Sequence, residues 1–162
     1  MSTPPNNRQP EPDQIRQQVV DSLLASAPPD WAEIRLEFRA SSTICQAEVS
    51  GSTLTGAPLL MPPPEGTTGR LKAVRAAMFE PGRGTWFSLH IGVKRNGSPE
   101  YRFNYTDATH WRPPVAPTVF TLDQERFPRD DQHIPDWLRE RLAEGAAVER
   151  AFQQRDARTG DA

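Results

Sequence analysis

The sequence predicts an α+β fold: one domain built on an antiparallel sheet of about four to six strands, with helices packed on one face. Three observations lead there. From Trp31 to Ala40 the pattern has period two, with Ile34, Leu36, Phe38 and Ala40 alternating with Glu33, Arg35, Glu37 and Arg39. A second alternating pair, "GTWFSLHIGVKRNGSPEYRFNYTD" over residues 84–107, is joined across Asn96-Gly97. Segments of helical spacing flank and separate these pairs, giving the order α, β-β, α, β-β, α. A chain of 162 residues with 36% apolar side chains is long enough to bury one core.

Residues 1–11 are polar and proline-rich, and read as a flexible N-terminal arm. The domain proper is expected over residues 12–152. It opens with a helix from Pro12-Asp13 that presents Ile15, Val19, Leu23 and Leu24 on one face and stops at Pro28-Pro29. After the strand from Trp31, "STICQAEVS" reads as its antiparallel neighbour, joined through the short link "ASS", with Cys45, Ala47 and Val49 inward. "GSTLTGAPLLMPPPEG" has room for a third, irregular strand before its prolines end the pairing.

Thr67 or Thr68 is placed to cap a helix running to Glu80, with Leu71, Val74 and Met78 inward and Arg70, Lys72 and Arg75 on the other face. In the hairpin that follows, Phe87, Leu89, Ile91 and Val93 share one face, as do Tyr101, Phe103 and Tyr105 on the return strand. Asn96-Gly97 suits a tight type I′ turn, which requires positive φ at both positions. Beyond Asp107 the prolines and the lack of a sustained period predict an extended surface arm. A last helix starts at Ile134-Pro135-Asp136 and turns Trp137, Leu138 and Leu142 inward, with Val148 and Phe152 further along; it is interrupted near Gly145. Residues 153–162 read as a flexible C-terminal tail.

Composition narrows the chemistry. The net charge of −2 provides no global attraction to phosphate, so no direct nucleic-acid partner is expected. No run approaches the roughly 20 apolar residues of a spanning helix, and the N-terminus lacks the apolar stretch of a secretory signal; the expectation is a cytoplasmic protein without membrane association. Cys45 is the only cysteine, excluding an internal disulfide and a cysteine-cluster zinc site, and its neighbours in the alternation are alanine and valine, as for a packed thiol. His90, His110 and His133 lie at none of the i, i+3 or i+4 spacings that bring two imidazoles onto one zinc.

"GTTGR" could offer free N–H groups to an anion, but lacks the lysine and spacing of a phosphate loop. The acids Asp123, Glu125, Asp130, Asp131 and Asp136 are interleaved with Arg126, Arg129, Arg139 and Arg141, the pattern of a charge-balanced solvated surface. No catalytic set assembles from these residues, and neither a cofactor nor a metal is expected. Trp111, in "HWRPP", has two readings: an interface anchor, or a staple that folds the arm back onto the sheet.

The succession "WAEIRLEFRA", "AAMFEPGRGTWFSLHIGVKRNGSPEYRFNYTD" and "FPRDDQHIPDWL" resembles YezG-like immunity proteins, the antitoxins of bacterial polymorphic toxin systems. The likeness runs over roughly residues 12–142 and rests on Trp31, Ile34, Phe38, Phe79, Trp86, Ser88, Gly97, Tyr101, Phe103, Tyr105 and Asp107. It departs from the family pattern in the segment "GAPLLMPPPEG" and in the near-neutral charge. The resemblance implies a non-enzymatic α+β protein that binds and neutralises a cognate toxin domain, often a nuclease, by occlusion, and it supplies no catalytic residues. Contact residues are then expected on the 107–136 arm: Asp107, Trp111, Asp123, Glu125, Asp130 and Asp131, acids for a basic rim and a tryptophan to anchor. An adaptor or chaperone of a secretion system and a small-molecule-binding domain are the alternative readings.

Overall fold

Helix α1 covers Pro12–Ser26. Pro12 stands where a missing N–H costs nothing, and the side chain of Gln14 accepts the Glu11 N–H at 3.3 Å. The computed structural model describes residues 10–160, so most of the expected N-terminal arm lies outside the described residues. After α1 come β1 (Trp31–Ala40), β2 (Cys45–Thr53), β3 (Pro58–Met61), α2 (Thr67–Ala77), β4 (Ser88–Lys94), β5 (Glu100–Asn104), α3 (Thr118–Arg126), one 3-10 turn (Asp131–His133) and α4 (Asp136–Thr159). The five strands form one antiparallel sheet in the order β3-β2-β1-β4-β5.

The period-two pattern of β1 explains its central place. Ile34, Leu36, Phe38 and Ala40 meet Leu89, Ile91 and Val93 of β4 on one face, under Ile15, Val19, Val20 and Leu23 of α1 and Leu71 and Val74 of α2. Each of these Val, Leu, Ile and Phe side chains, fully buried, contributes roughly 1.5–3 kcal/mol. Gly51 is obligatory in β2: a Cβ there would lie 2.1 Å from the Glu33 carbonyl oxygen, beside the register shift between Trp31 and Glu33.

A second cluster of Phe87, Trp111, Phe120 and Leu138 is closed by Val115, Ile134, Trp137 and Leu142. It forms because the chain bends at Phe87. The bend breaks the expected alternation: Trp86 enters the main core, 6.0 Å from Phe38 and 5.6 Å from Phe103 between ring centroids, while Phe87 packs edge-on against Trp137 at 4.8 Å.

Several expectations are corrected. The supposed extended arm contains helix α3, stabilised by burial of Phe120, a tertiary contact that local proline content does not reveal. Helix α4 runs unbroken through Gly145, which sits where a Cβ would come within 2.8 Å of Thr121 Cγ2 and 3.2 Å of the Pro117 carbonyl. The glycine allows α3 and α4 to approach; it does not break the helix. Beyond it Val148 and Phe152 face solvent, 38% and 63% exposed.

Residues 153–159 continue that helix where a flexible tail was expected. Helix α2 ends at Ala77 and begins after Gly66, with Thr67 buried instead of capping. At the hairpin Asn96 alone takes positive φ (63°), so the turn is not type I′, and the last paired residues are Gly92 and Glu100. Cys45 is half-buried against the core edge.

Candidate functional site

Helices α1 and α2 cover one face of the sheet, and the strand register arranges the other face in rows. One row reads Gln46, Arg39, Ser88, Asn104; the next Glu48, Glu37, His90, Arg102; the next Leu60, Ser50, Arg35, Gly92, Glu100. Small residues at Ser88 and Gly92 leave hollows between the long side chains. Two grooves, of about 420 and 620 Å³, meet at His90 and Arg102, which line both. The first ends at Asp107, the second at the Gly97–Glu100 turn.

Part of this face is internally paired. Glu37 bonds the His90 ring, Arg35 lies 3.3 Å from Glu33, and Arg39 lies 3.2 Å from Glu48. Lys94, Glu100, Arg102 and Asp107 are exposed and join no ion pair among the described residues. Cross-strand Glu37 and Glu48 stand directly opposite each other, each with a partner of its own in His90 and Arg39.

Asp107 is held at the rim by Asn104. The Asn104 Oδ1 accepts the N–H groups of Thr106 (3.2 Å) and Asp107 (2.8 Å), and its Nδ2 donates to Ser88 Oγ (3.1 Å) and the Asp107 carbonyl (2.9 Å). From the other side the Trp137 indole N–H donates to the Thr106 carbonyl at 2.7 Å. An Asx-type turn thus converts the end of β5 into a rigid presenter of one carboxylate.

The other residues expected at a contact surface are dispersed. Trp111 is corrected from anchor to staple: it is only 7% exposed and packs with Phe87, Phe120 and Leu138. Asp123 is corrected as well, because its carboxylate is taken up by Arg75, a residue placed on the outer face of its helix by spacing but 2% exposed in the fold. Glu125 is exposed on α3. Asp130 lies over Gly82, where a Cβ would come 2.6 Å from its Oδ2, and Asp131 pairs with Arg139 at 2.6 Å.

A second buried arginine supports the presenting turn. Arg129 donates to the carbonyls of Tyr105 (3.0 Å), His133 (3.3 Å) and Thr85, with its guanidinium 4.0 Å from the Phe87 ring centroid. Burial lowers its pKa to about 10, opposed by nearby Asp123. Gly84, at φ 79°, leaves the space Arg129 fills. Neither arginine's role was legible in the sequence, where both belong to apparently solvated charge runs.

Among the described residues no group of three or more His, Cys, Asp or Glu side chains could hold a metal ion, and no helix is long and apolar enough to cross a membrane. No protein-family model matches the chain. No curated protein matches it either.

Proposed function

We propose that this chain is a non-enzymatic immunity protein that acts in the cytoplasm, binding a cognate toxin domain through the open face of its sheet and neutralising it by occlusion. The reading is supported by the likeness to YezG-like antitoxins and by one geometric observation. That observation is a sheet face, met by the Arg112 segment only at Gln46, on which Lys94, Glu100, Arg102 and Asp107 hold charges with no internal counterion among the described residues. Charges fixed in rows favour selective recognition and fast encounter, because a mismatched partner leaves them desolvated and unpaired. The mixed signs suit a partner surface of mixed charge better than a uniformly basic one.

The test uses the intact chain and a face variant carrying Glu37→Lys, Arg102→Glu and Asp107→Lys. Wild-type protein captured from its own cells should retain one stoichiometric toxin domain and rescue growth when that domain is co-expressed. The face variant, folded to the same melting temperature, should lose both. A toxin retained equally by both proteins would move the interface elsewhere, and capture of a secretion component without rescue would replace the immunity reading with the adaptor.

A further inference from the structure

A different cavity, away from the open face, has the makings of a ligand site. Between the β1–β2 turn and helices α2 and α3 lies a pocket of about 350 Å³, lined by Ser41, Ser42, Thr43, Lys72, Ala76, Leu122, Arg126 and Phe127. Arg75 also lines it, but both of its terminal nitrogens are committed to Asp123. The mouth has two further cations: Lys72 and Arg126 are exposed and join no ion pair among the described residues.

Apolar and charged groups share the lining. Ala76 and Leu122, both exposed, offer apolar surface, beside the buried Phe127 ring, whose centroid lies 5.0 Å from the Arg126 guanidinium and 5.2 Å from that of Arg75. The turn adds fixed polarity: Ser41 Oγ accepts the N–H groups of Thr43 (3.2 Å) and Ile44 (3.1 Å), which fixes the backbone that carries Ser42 and Thr43. The volume falls within the range of small-molecule sites, where an apolar lining supplies affinity and a few polar groups fix orientation.

We propose that this pocket binds a small amphipathic anion, a carboxylate bearing a short aryl or alkyl tail. The tail lies on Ala76 and Leu122, and the carboxylate is held between Lys72 and Arg126. A cation of the same shape is repelled by the same two groups, and a neutral one forgoes both charge-assisted bonds. The site is separate from the open sheet face and does not depend on how that face is used.

Phenylacetate titrated into the intact protein, followed by two-dimensional NMR, tests this. Saturable shifts confined to Ser42, Thr43, Ala76 and Leu122 are expected, with phenethylammonium producing none. Lys72→Met with Arg126→Met keeps the side-chain stems and removes the charges; affinity should fall roughly tenfold or more, the scale of a lost charge-assisted hydrogen bond. Shifts spread over the surface without saturation, equal response to the amine, or unchanged affinity in a double variant of native melting temperature would each overturn the assignment.

Discussion

Arg75 of α2 and Asp123 of α3, 48 residues apart in sequence, form a bidentate ion pair with nitrogen–oxygen distances of 2.7 and 2.8 Å. The Arg75 Nε also donates to the Trp86 carbonyl at 2.7 Å, so one guanidinium links two helices and the chain entering β4. The Arg75 side chain is 3% exposed and that of Asp123 13%, so the pair is largely shielded, with the cation the more deeply buried partner.

Asp123→Asn should therefore destabilise by about 3–5 kcal/mol, since it leaves Arg75 charged, buried and half-partnered. Replacing both residues, Arg75→Met with Asp123→Leu, should restore much of that loss. Urea denaturation of the three proteins measures it; equal stability of Asp123→Asn and wild type would show the pair to be dispensable.

Trp111→Ala removes a side chain that is 7% exposed at the centre of the second cluster. A loss of about 3–5 kcal/mol is expected, as for other large core aromatics. The melting temperature and near-ultraviolet circular dichroism report it. A variant as stable as wild type would return Trp111 to the surface and reopen its role as an anchor.

Gly145→Ala weighs two opposed effects. Alanine gains roughly 1 kcal/mol in helix propensity, but its Cβ would lie 2.8 Å from Thr121 Cγ2 and 3.2 Å from the Pro117 carbonyl oxygen. Overpacking of this kind costs about 1–3 kcal/mol, so a net loss is expected. Adding Thr121→Ala should recover part of it. Stabilisation by Gly145→Ala alone would mean that α3 and α4 do not meet at this glycine.

Tyr101 and Tyr105 are the only tyrosines, so tyrosinate absorbance reads them without interference. Desolvation raises both pKa values above 10.0, against the pull of Arg16 on Tyr101 and of Arg83 on Tyr105. The native protein should titrate above 10.0 and return to that value in denaturant. Folded tyrosines that hold their protons longer than unfolded ones contribute stability that is complete below pH 10 and is lost as pH rises through the raised values. Arg129, lowered to about 10 by burial, works in the opposite direction, its cost fading as pH climbs from there toward the ordinary arginine range. A native midpoint at 10.0 would contradict the packing of both rings.

What could be read beforehand follows from how local each signal is. Alternation in β1, the proline-framed α1 and the Leu71/Val74 spacing of α2 are patterns within a few residues, and they yielded the α+β class and most of the main core. The hairpin of β4 and β5 is legible in the same way, since the alternation of its two strands is local. Helix α3, the unbroken α4 and the inward turn of Arg75 have no comparable local signature. Prolines, a glycine and a charge run each pointed the wrong way, until packing outweighed them.

The sequence by itself determined the two paired sets of strands, the apolar face of the central strand, and that the opposite face bears charge. Only the tertiary structure decided which charges are buried and which remain free. Strand register lines up Glu37, His90 and Arg102, and the docking of α3 against α2 takes Asp123 out of solvent. The physical reason is range. Hydrophobic periodicity acts over neighbouring residues, whereas an ion pair or a cross-strand row joins residues far apart in sequence, whose meeting depends on how every element between them packs.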